Sequence, residues 1–415
     1  MSSEGRRAFG ARVAELRRQR DLTQSELAAA IGRTASWVSQ VERGVQPVNR
    51  LDVLRLLADG LGVPLQVLQP EALSTATPGA GAVEEAVPND LDQARLVISG
   101  HSALDVILDP REDFRTDLLP GLRDEVERVW DLTHGDRFAE LSKALGLLLP
   151  RLERASRTAS EELRQELHRL LARTYQALAA AFVRQGEADA AWLAADRAIR
   201  AAELAGDRLG VFVGVFRLVH AFVRLQRLDQ AEHAAATALN TLVTHAEGES
   251  TAEEELSVVG SLHLALALVH ARSGDRSAAR EQIGKARMVA ARIGVERNDF
   301  NLEFGPTNVE VQAVSTAVDL GDAGEALDIA EDLDVSELSG ERQARLLMDL
   351  GRAHVQRRQL GDALAHLLKA EAIAPDLVRS HIAARGAVRE LMLMAGRSAS
   401  SELRGLAERS DAMGW

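Results

Sequence analysis

The sequence contains no cysteine, which excludes a disulfide framework, a thiol nucleophile and a zinc site built on thiolates. Aromatic residues make up only 3% of the 415 residues, although hydrophobic residues make up 46%. Alanine and leucine must therefore fill the core, as they do in closely packed helices. A chain of this length and composition predicts two or three domains, and the lack of cysteine fits a cytoplasmic protein.

Long hydrophobic runs are also lacking. The most apolar stretch, residues 210–225, is interrupted by Arg217, His220 and Arg224, and it is too short to cross a bilayer. The N-terminus is polar and rich in arginine, without the apolar core of a signal peptide. We therefore expect no membrane partner.

Motifs of catalysis are missing as well. There is no GxxxxGK[ST] loop, since Gly284 and Lys285 lack the rest of that motif. His263 and His270 lie seven residues apart, but no HExxH pattern or paired carboxylate accompanies them. No GxSxG elbow occurs. We expect a protein that is not an enzyme and that uses neither a cofactor nor a metal.

Charge is distributed unevenly along the chain. The formal net charge is −13, yet residues 1–50 hold nine arginines and five acidic residues and so carry +4. The remaining residues carry −17, the difference between −13 and +4. A basic N-terminal part on an acidic body confines affinity for nucleic acid to that part.

The stretch 22–44, LTQSELAAAIGRTASWVSQVERG, predicts two short helices separated by a tight turn. Thr23 and Glu26 have the spacing of a capping box, and Gly32 is placed to end the first helix. Val38 and Val41 are predicted to face inward from the second helix. The residues predicted to face outward are Ser36, Trp37, Ser39 and Gln40.

The pattern LTQ.ELA..IG…..VSQ.ERG resembles the XRE family of helix-turn-helix domains, and the resemblance covers about residues 9–68. It implies a five-helix DNA-binding domain at residues 1–68, whose second motif helix enters the major groove. Residues 69–89, with three prolines and two glycines among small residues, are predicted to be a linker.

The resemblance also implies roles by position. Gln24 is expected to bind a phosphate and brace the recognition helix, and Gln40 to contact adenine. Ala35 is too short to hydrogen-bond a base, so the only base contact expected from it is with a thymine methyl group. Trp37 is expected to pack at the DNA backbone. The full set of expected DNA-binding residues is Gln24, Arg33, Thr34, Ala35, Ser36, Trp37, Ser39, Gln40, Arg43, Asn49 and Arg50. Because one such domain reads few base pairs, we expect a homodimer on a pseudo-palindromic operator of double-stranded DNA.

A repeat runs through the rest of the chain. Five segments each place a small residue at the start of a second helix: Ala191, Ala231, Ala279, Ala326 and Ala363. Small residues at i, i+4 and i+7 let that helix lie close to its partner. The pattern resembles tetratricopeptide (TPR) repeats, although the spacings of 37 to 48 residues exceed the usual period of about 34. Residues 90–415 are thus predicted to form a TPR-like α-solenoid, closed by helices at 379–395 and 400–413; an irregular α-bundle is the alternative, and both are all-α.

TPR geometry places the first helix of each pair on the concave side. Counting back from the small residues gives these candidates for ligand binding: Arg173, Gln176, Arg184, Phe216, His220, Arg224, Arg272, Asn308, Arg345, Met348 and Arg352. Such a cationic lining suits a peptide carboxylate or another small anionic effector. Pairing of these arginines with nearby acids is the alternative.

The turn Gly305-Pro306-Thr307-Asn308 is predicted to be structural, with Thr307 or Asn308 capping the next helix. The phrase FGPTNV resembles one in XRE–TPR regulators of the Streptomyces kind. Together the two parts of the chain resemble peptide-sensing regulators of the RRNPP type. This implies a sequence-specific transcriptional regulator whose TPR-like domain senses a peptide or small molecule and controls the geometry of the dimer. A DNA-tethered protein–protein scaffold and an antitoxin-like repressor are the alternatives.

Overall fold

The protein is described by a computed structural model, which covers residues 3–20, 22–31, 35–43, 48, 57–58, 60–61, 63, 89–100, 114–245 and 252–412. The chain divides into two compact units, Met1–Glu85 and Ala86–Trp415. Regular structure within the described ranges is helical, apart from one isolated bridge between Arg297 and Phe304. The predicted all-α class is confirmed for these residues.

The first unit contains α1 (Ser3–Gln19), α2 (Gln24–Ala30) and α3 (Ala35–Glu42) around an apolar core. The predicted capping box is present: the Thr23 amide and hydroxyl both donate to Glu26 Oε2 at 2.7 Å, and the Glu26 amide donates to Thr23 Oγ1 at 3.2 Å. Leu57, Ala58 and Leu61 complete the core. The turn at 32–34, most of the predicted fourth and fifth helices and all of the linker except Asn89 lie outside the described residues.

The second unit begins with α4 (Asp92–Ser99), and residues 101–113 after it lie outside the described ranges. Antiparallel helix pairs follow, and successive first helices contact one another. The pairs are α5 (Leu119–His134) and α6 (Phe138–Thr158), α7 (Glu161–Gln185) and α8 (Ala188–Leu204), α9 (Arg208–Arg224) and α10 (Leu228–His245), α11 (Glu253–Ser273) and α12 (Arg276–Ile293), α13 (Pro306–Leu320) and α14 (Ala323–Ala330), and α15 (Gly340–Gln356) and α16 (Leu360–Ile373). After them come α17 (Pro375–Ser380), α18 (Ile382–Ala395) and α19 (Ser401–Arg409).

The small residues that define the repeat are buried. Ala191, Ala231, Ala279, Ala326 and Ala363 are each 0% exposed in the second helices of their pairs. An alanine at these positions lets two helix backbones approach closely, and the apolar area that it removes from water stabilises the pair. The TPR-like reading of the repeat is therefore confirmed. The predicted terminal helices form with shorter bounds: α18 begins at Ile382, since Arg379 belongs to the separate helix α17, and α19 ends at Arg409.

Turns within the pairs use either glycine or aspartate. Helices α7 and α11 end at Gly186 and Gly274, whose φ angles of 79° and 82° favour glycine. The following helix α12 is capped by Asp275, whose carboxylate accepts a bond from the Ala278 amide at 3.0 Å. These turns set the tight reversal that each pair requires.

Helix α11 is long and apolar enough, by length and composition, to cross a membrane. Within the described part of the chain, 72% of its apolar window is buried against neighbouring helices. This helix packs at the centre of the solenoid, where its Gly260 admits the ring of Phe304, which is 0% exposed.

Gly260→Ala should destabilise the solenoid by about 1–3 kcal/mol, because a Cβ at this position would lie 1.9 Å from Phe304 Cζ. Gly284→Ala is the matched control, since its Cβ would meet nothing within 4 Å in α12. That substitution should stabilise the helix by up to about 1 kcal/mol. Urea denaturation of the full chain followed by circular dichroism measures both, and equal effects of the two substitutions would contradict the packing described.

Candidate DNA-binding surface and solenoid interior

Glu42, at the end of α3, joins three helices of the first unit. Arg17 of α1 donates to it through Nε at 2.5 Å and Nη2 at 3.0 Å, and Gln24 of α2 donates through Nε2 at 2.7 Å. Arg17 also donates to the Leu22 carbonyl at 2.7 Å. The side chains of Arg17 and Glu42 are only 13% and 8% exposed, so this polar junction fixes α3 against the other two helices.

The electrostatics of this junction favour the ionised pair. Burial acts to raise the pKa of Glu42, but hydrogen bonds from Arg17 and Gln24 hold that pKa below its ordinary value. The hydrogen bond to Glu42 likewise raises the pKa of Arg17. The carboxylate therefore stays charged at neutral pH.

A glycine sets the distance between α1 and α3. A Cβ at Gly10 would lie 2.3 Å from the carbonyl oxygen of Val41 and 2.6 Å from that of Glu42. Only glycine permits the backbones to approach this closely without a shift of one helix. The position of α3 thus depends on a backbone contact as well as on the Glu42 junction.

The structure places several expected DNA-binding residues together on α3. Ala35, Ser39 and Gln40 are partly exposed, and Arg43 is exposed, with its Nε donating to the Ser39 carbonyl at 3.2 Å. The expectation that Trp37 faces fully outward needs correction, because its ring packs partly against the core. Arg33, Thr34, Asn49, Arg50 and the side chain of Ser36 lie outside the described residues. Gln24 braces the recognition helix through Glu42, and its phosphate contact stays a prediction.

Sequence comparison identifies the first unit. Residues 8–70 match the family described as "Helix-turn-helix domain". The N-terminal part of the chain is a helix-turn-helix domain. This confirms the class of DNA-binding domain that the motif predicts.

No curated protein sequence matches the chain. A solved structure, the crystal structure of Bacillus thuringiensis PlcR in complex with the peptide PapR7 and DNA, is similar with a TM-score of 0.28 and 16% identity. That similarity covers 90% of this chain and 99% of the other. A TM-score of this size supports no conclusion about the present chain.

Glu42→Gln should destabilise the helix-turn-helix domain by about 2 kcal/mol, because it leaves the buried Arg17 charge without its carboxylate. Hydrogen exchange of α3 amides in the full chain measures this loss. Because the folded pKa of Glu42 is lowered, the contribution is present above the unfolded pKa of about 4.3 and is lost as pH falls through the folded value. Glu15→Gln is the control, since its pair with Arg12 is exposed and should contribute less than about 1 kcal/mol. Equal protection of α3 in both variants would contradict the role of Glu42.

In the second unit, Arg184 joins helices that are far apart in sequence. It donates from Nη1 to the Thr133 carbonyl at 2.5 Å and to Asp136 at 3.1 Å, at the end of α5. Its Nη2 donates to Glu341 at the start of α15, at 2.6 Å. Glu341 also accepts a bond from Arg345 at 2.9 Å. Because α7 and α15 are both first helices, these bonds cross the interior of the solenoid.

The interior also holds the segment between α12 and α13. Phe300, Asn301 and Glu303 have φ angles of 53°, 57° and 49°, a left-handed region that costs a non-glycine residue about 1–3 kcal/mol. Surrounding groups hold them there: Arg217 donates to the Asn301 carbonyl at 2.9 Å, and Arg342 donates to Glu303 at 2.6 Å. The segment is therefore pinned by cations of α9 and α15.

The predicted turn at residues 305–308 has a structural role, but its capping differs from the prediction. Glu296, rather than Thr307 or Asn308, caps α13, since its carboxylate accepts the Thr307 amide at 2.6 Å. Asn308 instead donates its side-chain amide to the Glu303 carbonyl. The turn before α13 brings the Glu296 carboxylate closer to the free amides at the start of that helix than the side chain of Thr307 or Asn308.

Burial shifts the titration of two interior groups on α9. It lowers the pKa of His220 to about 3, with further lowering by the charges of Arg217 and Arg224. It lowers the pKa of Arg217 to about 9, and the charge of Arg184 acts in the same direction. At neutral pH His220 is uncharged while Arg217 remains largely charged. Arg217 lies over the rings of Trp130 and Phe216, at 5.4 Å and 5.2 Å from their centroids.

All the residues predicted to bind ligand lie on first helices, but they do not form one open cationic surface. Gln176, Asn308 and Met348 are each 2% exposed and are enclosed by neighbouring helices, which corrects the expectation that they line an open groove. Most of the arginines have carboxylate partners, as the alternative interpretation anticipated. The pairs are Arg173 with Glu127, Arg184 with Asp136 and Glu341, Arg272 with Asp319, Arg345 with Glu341, and Arg352 with Asp319 and Asp349.

The remaining candidates, Phe216, His220 and Arg224, lie together on α9, where the rings of Phe216 and His220 meet edge to face at 4.6 Å. Sequence reasoning missed Arg217 and Glu341, which have central positions in the interior. The spacing of Arg217, His220 and Arg224 along one helical face was a signal for the first. Glu341 carries no local signal, since its partner Arg184 is 157 residues away.

The described part of the second unit contains cavities between its helices. One, of about 360 Å³, is enclosed by α5, α7, α9 and the segment that contains Phe300 and Asn301. Another, of about 850 Å³, lies among α4, α6, α7 and α8, where Tyr175 donates to Glu153 at 2.5 Å and Arg197 lies over the Tyr175 ring. The first cavity is lined by Arg169 and Arg173 of α7 and reaches Asn301, whose carbonyl accepts the bond from Arg217.

Glu341→Gln should destabilise the solenoid by about 3 kcal/mol at pH 7, because it leaves two partly buried arginines with weaker partners. Although burial acts to raise the pKa of Glu341, the charges of Arg184 and Arg345 lower it to about 2. The contribution is complete above the unfolded pKa of about 4.3 and disappears as pH falls to 2. Thermal unfolding of wild type and variant should therefore converge in acid. The control Glu140→Gln removes an exposed pair with Arg137, so it should leave thermal unfolding nearly unchanged.

Proposed function

We propose that this protein is a cytoplasmic transcription regulator, in which the helix-turn-helix domain binds double-stranded operator DNA and the helical repeats receive a signal. The observation that carries the proposal is the helix-turn-helix domain, which displays Ser39 and Gln40 on α3 and Arg43 just after it, with α3 held by partly buried polar bonds. A rigid recognition helix is what direct readout of bases requires.

The side chains on and just after α3 suit two different roles, contact with bases and contact with phosphates. The Gln40 amide can contact the N6 and N7 positions of adenine in the major groove, and Ser39 can bond to several bases. Arg43, beyond the end of the helix, suits a phosphate and would supply affinity rather than sequence choice. With so few side chains for reading bases, we propose that two copies bind a pseudo-palindromic site as a homodimer.

The interior of the solenoid supports the proposed sensing role. It brings cations of α7, α9 and α15 together around a strained segment, and Asn301 of that segment also lines a cavity. This arrangement suits a peptide or a small anionic effector. An effector changes DNA binding only if its affinity differs between two arrangements of the protein. We propose binding rather than catalysis as the activity of this unit.

Gln40→Ala and Arg43→Ala should have different effects on DNA binding. Gel shifts of the full chain on the upstream region of its own gene measure affinity across single base changes and salt concentrations. Gln40→Ala should cost about 1–3 kcal/mol and relax the preference at one base pair of each half-site. Arg43→Ala should weaken binding to all sequences and reduce the salt slope by about one unit.

The control is Arg389→Ala, which removes an exposed arginine of α18 in the other unit and should leave DNA binding unchanged. Failure of the wild-type chain to bind any upstream fragment, at low as well as physiological salt, would contradict the proposed function.

A further inference from the structure

The charges inside the solenoid do not balance. Five arginines that face the interior have five carboxylates as partners. The arginines are Arg184, Arg272, Arg342, Arg345 and Arg352, and the carboxylates are Asp136, Glu303, Asp319, Glu341 and Asp349. Two further arginines on α9, Arg217 and Arg224, have no carboxylate partner among the described residues. Burial of two uncompensated cations is costly unless another group supplies negative charge.

Arg224 is the less satisfied of the two. Within the described ranges it has no hydrogen bond or ion pair, although it is partly buried at the end of α9. The charges that act on it most are Arg345 and Arg272, both of which repel it. Asp319 attracts it but is already shared by two other arginines.

Arg217 is satisfied only in part. Its Nη2 donates to the Asn301 carbonyl at 2.9 Å, but its Nε is buried and has no partner in the described structure. The aromatic rings beside it offer only a weak cation–π attraction. Glu341 and Glu303 attract it, but both carboxylates already pair with other arginines. One donor of this guanidinium therefore remains available.

Two histidines complete the surroundings. His220 lies between the two arginines on α9, and His381, just before α18, feels the charges of Arg345 and Arg224. Burial and these cations lower the pKa of both histidines, so both are neutral at pH 7. The Nδ1 atom of His381 is buried without a partner in the described structure. The histidines thus offer hydrogen bonds without changing the charge.

We infer that the interior of the solenoid binds an extended ligand with two separated carboxylates, one held by Arg224 beside His381 and the other by Arg217. This inference rests on the proposed sensing function and names its ligand class. The two arginines are seven residues apart on one helix, which places their Cα atoms about 10 Å apart at a rise of 1.5 Å per residue. A compact dianion such as inorganic phosphate cannot reach both as easily as a chain with a carboxylate at each end. Small dicarboxylic acids and short acidic peptides share this chemistry.

Calorimetric titration of the full chain in the absence of DNA tests the inference, with glutarate, adipate, the tetrapeptide Asp-Ala-Ala-Ala and inorganic phosphate as probes at matched ionic strength. At least one dicarboxylate or the peptide should bind saturably and at least tenfold more tightly than phosphate. Tighter binding of the peptide identifies the peptide source, and tighter binding of glutarate or adipate identifies a small acid.

Arg224→Gln and Arg217→Gln should each weaken that binding tenfold or more, whereas Arg389→Gln should not change it. Since Arg224→Gln removes an unbalanced cation that makes no hydrogen bond or ion pair in the described structure, this ligand-free variant should melt at or above the wild-type temperature at low salt, which separates lost binding from misfolding. Binding no tighter than that of phosphate, or equal binding by all three variants, would overturn the inference. The titration contains no DNA, so it tests ligand binding separately from regulation. Dicarboxylate binding that leaves gel shifts unchanged would contradict the proposed regulatory function but not this inference.

Discussion

The solenoid depends on the bonds of one buried guanidinium. Helix pairs built on alanine contact mainly their neighbours, so local packing alone leaves the two ends of such an array free to move apart. Arg184 removes this freedom, because it bonds to the end of α5 and to Glu341 of α15 at once. The surrounding charges, the pinned segment and the cavity beside it all acquire fixed positions through this crossing.

Packing and charge have separate functions in this protein. Small side chains bring the helices together, and the same requirement appears in the first unit, where Gly10 lets two backbones touch. Buried ion pairs add little net stability but fix which groups face each other. The result is an interior with a defined arrangement of charge, and such an arrangement can discriminate ligands by the spacing of their anionic groups.

Local sequence patterns predicted most helices correctly, but they could not predict which side chains from distant helices would pair. The capping box of Thr23 and Glu26 and the buried alanines of the repeat follow from short spacings, which depend on neighbours in sequence. The predicted cationic groove was only partly correct, because carboxylates from distant helices neutralise most of it. Similarly, Glu296 caps α13 because the chain between α12 and α13 turns back on itself and brings this carboxylate to the start of α13. Helical periodicity in the sequence does not reveal such a turn.

The crossing bond also has a consequence for the order of folding. Residues joined by Arg184 and Glu341 are separated by 157 positions, whereas helix pairs need only a few tens of residues. During synthesis the N-terminal pairs can therefore assemble long before α15 has emerged. Until then Arg184 must remain hydrated and its neighbouring helices incompletely docked. Truncation of the chain before α15 would thus yield repeats that are individually formed but collectively loose.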